Sequence, residues 1–303
     1  MDKIAKNAAE TVIDYFAEVV DRRFIAGKTY HRLIAADDDV FSAFIAADRY
    51  HFLRRQGQHP KVDCIGGFGL MSGQINPKRH GKKLSEAEML RLVLIALGVK
   101  TEDIGIVCSS GTNTGANLAG YFCDLRENGS IDENLLFCLT KRLAGRFYLT
   151  QVFQQPMLKA DYFWLETENE CQLYNGKGFA GGLPYLSEAA SIYDRYLRYA
   201  DPLAGKPVYM KSLPHALSVE VNEAGEYLCG KYKLKIPEFS MLKIWQYILT
   251  YGYFLSHRRQ CSLNLAENVY QWQDILSAKY AKERVLLKEE LLCGLDTALR
   301  DIL

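Results

Sequence analysis

The chain has 303 residues, of which 49% are hydrophobic and 24% are charged, a composition typical of a globular protein with one large domain or two moderate ones. Lysine and arginine total 37 against 36 acidic residues, so the net charge is +1. This balance excludes a global field that would attract nucleic acid or an anionic membrane, and any anion preference must be local.

The N-terminal segment predicts an amphipathic helix. Charged residues interrupt its apolar positions, which argues against the continuous apolar core of a signal peptide. The apolar positions recur at helical spacing and would form the buried face: Ile4, Ala8, Val12, Tyr15 and Val19.

Cysteine usage and hydropathy favour a cytoplasmic protein. The eight cysteines form no CxxC pair and no Cys/His ligand spacing, and Cys64, Cys108 and Cys138 lie in apolar runs. We therefore expect free, buried thiols in a reducing compartment. The most apolar later run, 241–256, contains Lys243 and is too polar for a membrane span, so we expect no membrane partner.

Strands and helices alternate through the first half of the chain. The pattern predicts strands at 29–36, 61–65, 104–108, 135–139 and 161–165, and helices at about 40–55, at 84–97 and from 112–117 onward. This alternation is typical of the α/β class with a parallel sheet. Ligands of such sheets bind outside the carboxyl ends of the strands, so the residues that follow each strand are the first candidates for a site.

Three aspartates follow the first strand. Asp37, Asp38 and Asp39 would hold a hydrated magnesium ion, or they would only cap the next helix and complement its positive end.

Glycines follow the second strand, at Gly66, Gly67 and Gly69. They would let the backbone approach a ligand, or they would only form a turn. A basic stretch at 78–83 comes next, which would be either a lid over an anionic ligand or a solvated loop.

The helix after this stretch begins with a capping box. Ser85 and Glu88 have the S-x-x-E spacing, which explains both residues without any chemistry. Glu86 is left over in the first turn. It is a candidate general base or ribose ligand, and the alternative is that it only complements the helix dipole.

The loop after the third strand, 109–115, places hydroxyl, amide and glycine groups where a helix begins. Such a loop is suited to an anion or a sugar hydroxyl, although Thr114 alone would serve as a helix cap. The candidate ligand-binding residues here are Ser110, Thr112, Asn113, Thr114 and Asn117.

Cations follow the fourth strand. Lys141, Arg142 and Arg146 would bind a phosphate or carboxylate, or they would form a solvated face.

The second half of the chain changes character. It predicts a helix at 186–199, an irregular, proline-containing segment at 202–237, and closing helices at about 239–257, 263–278 and 281–302. We divide the chain into an α/β domain at 1–184 and a mainly helical accessory domain at 185–303. The N-terminal helix packs on one or the other.

The order of these motifs resembles the YdcF-like family, a bacterial domain of unknown function that also includes SanA and ElyC. The resemblance covers Thr29 to Pro156. It is carried by a glycine doublet, a Ser-Glu-Ala helix start, a Gly-Val turn, a Thr-x-Asn-like loop, and an arginine with a threonine after the fourth strand. In this chain those positions are Gly66, Gly67, Glu86, Gly98, Val99, Thr112, Asn113, Thr114, Asn117, Arg146 and Thr150.

The resemblance implies a Rossmann-like parallel sheet with flanking helices, a C-terminal helical region, and binding of S-adenosylmethionine. No reaction is established for the family. Three functions follow as hypotheses: a cytosolic protein that binds an adenosyl or nucleotide-type molecule, with transferase or hydrolase activity as the expectation; a magnesium-dependent phosphoester hydrolase that uses Asp37 to Asp39; and a non-enzymatic protein whose helical region docks a partner.

Overall fold

The computed structural model describes residues 3–21, 23–25, 27–36, 40–68, 78–79, 82–83, 85–165, 183–200, 209–213 and 215–233. The main strands are β1 (Arg32–Ala36), β2 (Lys61–Ile65), β3 (Ile104–Cys108), β4 (Leu135–Thr140) and β5 (Ala160–Leu165). The helices are α1 (Lys3–Glu18), α2 (Val40–Arg55), α3 (Glu86–Ala96), α4 (Thr114–Glu127), α5 (Lys141–Gln154), α6 (Leu183–Ala200) and α7 (Val219–Tyr232).

The five strands form one parallel sheet in the order β3-β2-β1-β4-β5. β1 is central, with Arg32 paired to Lys61 on one side and to Leu135 on the other. The chain runs outward from β1 to β3 and then returns to the other side of β1, so the strand order reverses between β1 and β4. This arrangement confirms the predicted α/β, Rossmann-like sheet with flanking helices.

Helices cover both faces of the sheet, which explains why its central strands are apolar throughout. Leu33 and Ala35 of β1 pack in the core that α2 and α3 share with the sheet. Ile34 and Ala36 point the other way, into the core formed with α4 and α5. Successive strand side chains alternate between the two faces, so one short strand supplies both cores.

A further layer lies outside α5, where α1, α6 and α7 share a third core. The predicted face of α1 was wrong at Ile4, which is 66% exposed. Val12 is buried, and Ala8, Tyr15 and Val19 are partly buried beside the other buried residues, which are Ala5, Ala9, Ile13, Phe16 and Ala17. The reason is close helix packing: a Cβ at Gly145 of α5 would lie 2.0 Å from the Phe16 carbonyl oxygen. Helices at this separation bring small residues together, so alanines are buried.

The segment predicted to be irregular, 202–237, contains helix α7. The helix begins after Ser218, whose hydroxyl accepts a hydrogen bond from the Val221 N–H at 3.3 Å. No proline occurs between Pro214 and Pro237, so the chain is free to form a helix there. The predicted closing helices lie outside the described residues.

Three further predictions concern the cysteines, the basic stretch and the membrane. Cys64, Cys108 and Cys138 are buried free thiols, and burial raises the pKa of each. The basic stretch contains a short antiparallel pair, Lys78–Arg79 with Lys82–Lys83, and its role as a lid stays a prediction. Within the described part of the chain, no helix is long and apolar enough to cross a membrane.

Candidate functional site

Backbone contacts join the carboxyl ends of β2 and β3. The Gly66 N–H donates to the Cys108 carbonyl at 3.0 Å, and the Phe68 N–H donates to the Gly111 carbonyl at 3.1 Å. Between them, a Cβ on Gly67 would lie only 1.6 Å from the Gly111 oxygen. Only glycine permits this approach, so the turn after β2 and the loop after β3 are fitted to each other.

The same glycines receive the first turn of α3. The Glu86 N–H donates to the Gly67 carbonyl at 3.1 Å, and the Ala87 N–H donates to the Gly66 carbonyl at 2.8 Å. These bonds satisfy two helix N–H groups that have no partner within the helix. The Glu86 side chain is 4% exposed, and a Cβ on Gly66 would lie 2.6 Å from the Glu86 Cβ. Glu86 therefore lies against the glycine turn.

The predicted capping box is present. The Ser85 hydroxyl accepts from the Glu88 N–H at 3.1 Å, and the Glu88 carboxylate accepts from the Ser85 N–H at 2.6 Å. The Ser85 Oγ also lies 2.6 Å from the Ser109 Oγ of the loop after β3. This contact adds Ser85 to the site. No sequence pattern predicts this contact, because the local helix cap already accounts for Ser85.

The start of α4 differs in one detail from the prediction. Asn113 is the N-cap, and its side-chain oxygen accepts from the Ala116 N–H at 3.0 Å, so Thr114 is not the capping residue. Ser110 and Thr112 are exposed beside it. Thr112 thus lies at the positive end of a helix, whereas the Ser110 Oγ lies 3.3 Å from the Cys108 Sγ and against Gly120 of α4.

Asn117 lies beneath this loop, on the first full turn of α4. Its side chain is 2% exposed, and a Cβ on Gly111 would lie 2.0 Å from the Asn117 Oδ1. The Asn117 N–H is bonded to the Asn113 carbonyl at 2.8 Å, but Oδ1 receives no hydrogen bond. We call Gly66, Gly67, Ser85, Glu86, Asn117 and the loop 109–115 the strand-end site.

The predicted cations contact helices of the outer layer. The Lys141 Nζ lies 2.7 Å from the Asp14 carboxylate of α1, and the Arg142 Nη1 lies 3.5 Å from the Glu188 carboxylate of α6. Arg142 and Glu188 are both buried. The positive end of the α5 dipole disfavours cations at the start of the helix, and these two carboxylates offset that effect. Arg146 is 8% exposed one turn further on, and the ligand role of all three cations stays a prediction.

A buried polar network lies within the sheet. Asp63 of β2 accepts hydrogen bonds from Arg32 at 3.0 Å, from the Tyr121 hydroxyl at 2.7 Å and from the Ile106 N–H at 2.7 Å. Burial raises the pKa of Asp63, and these three donors act in the opposite direction. A Cβ on Gly105 would lie 2.1 Å from the Asp63 carboxylate, which explains the glycine in β3. The sequence pattern did not predict this network.

Two predicted groups lie outside the described residues, namely Asp37 to Asp39 and Gly69. In the parts of the chain that the structure describes, no cluster of three or more His, Cys, Asp or Glu residues is arranged to hold a metal ion.

The fold and the strand-end site define an α/β protein with a candidate small-molecule site at the carboxyl edge of its sheet. No protein-family model matches the chain, and no curated protein matches it. The resemblance to the YdcF-like family stays a prediction.

Proposed function

We propose that the chain binds an adenosyl or nucleotide-type small molecule at the strand-end site, with S-adenosylmethionine as the leading candidate. The observation that supports this most is the close contact of Gly67 with Gly111, which joins two strand ends and the starts of α3 and α4. The site lies at the carboxyl edge of a parallel sheet, at the ends of β2 and β3, whereas the strand order reverses between β1 and β4. Ligands of open α/β sheets bind at this edge of the sheet.

The residues of the site have complementary chemistry for such a ligand. The buried Glu86 carboxylate would accept hydrogen bonds from a ribose or act as a general base. Ser110 and Thr112, two exposed residues of the loop before α4, would contact a polar group of the ligand. Arg142 and Arg146 are the cations that we assign to an anionic part of the ligand, in a transferase or hydrolase.

Isothermal titration of the full chain with S-adenosylmethionine, adenosine and AMP tests this proposal. We expect binding of at least one of them, and binding at least about tenfold weaker in Glu86→Ala, which removes a carboxylate acceptor. Glu102→Ala is the matched control, because Glu102 is an exposed carboxylate in the turn before β3. No heat with any of the three compounds contradicts the proposal.

A phosphatase assay with p-nitrophenyl phosphate, with and without magnesium, separates the main alternative. The proposed binding function predicts no magnesium-dependent hydrolysis. Turnover that requires magnesium would instead favour the phosphoester hydrolase with Asp37 to Asp39 as metal ligands.

A further inference from the structure

The Asn117 side chain is the one group of the strand-end site whose hydrogen bonding is incomplete in the described structure. The residue is only 2% exposed, and its buried Oδ1 accepts no hydrogen bond. A buried acceptor without a donor costs about 1–3 kcal/mol, so native proteins rarely leave one. A donor for this oxygen is therefore missing from the described protein groups.

Three backbone N–H groups near the loop already donate to other acceptors and do not serve the Asn117 oxygen. The Gly66 and Phe68 N–H groups are used by the Cys108 and Gly111 carbonyls, and the Ala116 N–H is used by the Asn113 side chain. The oxygen lies directly under Gly111. Gly111 is itself buried, while the residues on either side of it, Ser110 and Thr112, are exposed.

We propose that Asn117 is a specificity-determining residue whose Oδ1 accepts a hydrogen bond from a sugar hydroxyl of the ligand. This inference rests on the proposed function and adds to it the group by which the ligand is selected. This role requires the loop to move at Gly111, whose carbonyl accepts from the Phe68 N–H in the described structure. A fully ionised phosphate has no donor for an acceptor oxygen. An ammonium group carries three donors and a charge, and a single amide oxygen would not compensate its burial. A neutral hydroxyl needs only one acceptor.

The first experiment compares two ligands on the unmodified full chain. Isothermal titration with adenosine and with 2′,3′-dideoxyadenosine, which lacks both sugar hydroxyls of the ribose diol, should give at least about tenfold weaker binding for the dideoxy compound. Equal affinity for the two compounds would overturn the inference, together with the ribose role of Glu86, while leaving the binding of an adenosyl-type molecule at the strand-end site intact. Absence of binding by S-adenosylmethionine, AMP and adenosine alike would overturn both.

The second experiment removes the acceptor. Asn117→Leu has nearly the same shape, so we expect it to reduce the preference for adenosine over the dideoxy compound to the part that Glu86 supplies, without lowering the melting temperature, since no existing hydrogen bond of the side chain is lost. Asn222→Leu in α7 is the control. Asn222 accepts from the Tyr193 hydroxyl at 3.1 Å and donates to the Leu217 carbonyl at 3.2 Å, so this variant should melt earlier and keep the preference.

An Asn117→Leu protein that melts earlier and keeps the full preference for adenosine would show that a buried water, rather than a ligand, satisfies the oxygen, and it would overturn the inference. If Asn117→Leu does not fold, the comparison of the two ligands on Glu86→Ala decides the question: a preference for adenosine that remains without the Glu86 carboxylate supports the inference, and its loss overturns it.

Discussion

At the scale of single residues, the strand-end site depends on positions where a side chain is missing. Gly67 and Gly111 touch through their backbones, and the Asn117 oxygen fits beneath Gly111. None of these glycines has a positive φ, so the requirement comes from space and not from backbone conformation. A glycine of this kind marks a place where two chain segments approach more closely than any side chain allows.

Gly67→Ala should therefore disturb both folding and binding. The added methyl group would overlap the Gly111 carbonyl, so the loop must move, and we expect a loss of about 1–3 kcal/mol in the free energy of unfolding together with weaker adenosine binding. Urea denaturation and isothermal titration measure the two effects.

Gly230→Ala is the matched control, because Gly230 lies in α7 with no atom within 4 Å of the added Cβ. Its helical position predicts a gain of about 0.5–1 kcal/mol. A Gly67→Ala protein as stable as the control would contradict the packing that the structure shows.

At the scale of elements, the Asp63 network fixes how the strands pair. Val62 pairs with Ile104 and Cys64 pairs with Val107. Two residues of β3 therefore lie opposite the single residue Asp63 of β2, which makes a bulge in β3. The Asp63 carboxylate accepts the Ile106 N–H in place of a strand partner. Arg32 then links this bulge to Ser130 and Glu133, before β4. One buried ion pair thus connects four strands or the loops leading to them.

Arg32→Met tests the contribution of this network. The substitution leaves the Asp63 carboxylate buried without its cation, and breaking a buried pair in this way costs about 3–5 kcal/mol. Urea denaturation followed by circular dichroism measures the loss.

Lys6→Ala is the comparison, because it removes an exposed ion pair with Glu10, and it should leave the denaturation midpoint nearly unchanged. Similar midpoints for the Arg32 and Lys6 variants would argue against the network as a stabilising element.

At the scale of the whole molecule, α1 connects the sheet layers to the later helices. It contacts α5 of the α/β region as well as α6 and α7. Arg142 of α5 and Glu188 of α6 form a buried pair in the same region. The described helices after β5 therefore pack directly on the α/β region, and α1 contributes to one core that both regions share.

Phe16→Ala should destabilise both regions together. Phe16 is buried in the third core and contacts Tyr196 of α6 at a ring-centroid distance of 5.1 Å, so the substitution leaves a cavity that costs about 3–5 kcal/mol. Hydrogen exchange read by mass spectrometry should show faster exchange in peptides of α5, α6 and α7 alike.

Faster exchange confined to α6 and α7 would instead indicate that the boundary near residue 184 separates two independent folding units. Ile4→Ala is the control. Ile4 is exposed on the same helix, so the exchange pattern of the Ile4→Ala protein should match that of the unmodified chain.

The sequence by itself determined where the main strands and helices lie and that the strands form a parallel sheet. The strands at 61–65 and 104–108 and the capping box of Ser85 with Glu88 depend on local apolar runs and on hydrogen bonds between near neighbours, so a pattern in one segment is sufficient to predict them. The parallel topology then places every loop that follows a strand at the same edge of the sheet.

Only the tertiary structure decided how distant residues meet. The sheet order, the alanine face of α1, the pairing of Arg142 with Glu188 and the Asp63 network each join segments that lie far apart in the chain. Ser85 and Ser109 meet across 24 residues, and Arg32 and Glu133 meet across 101. Such contacts depend on how close the packed elements come to one another, and that distance is set by the whole fold and not by any local pattern.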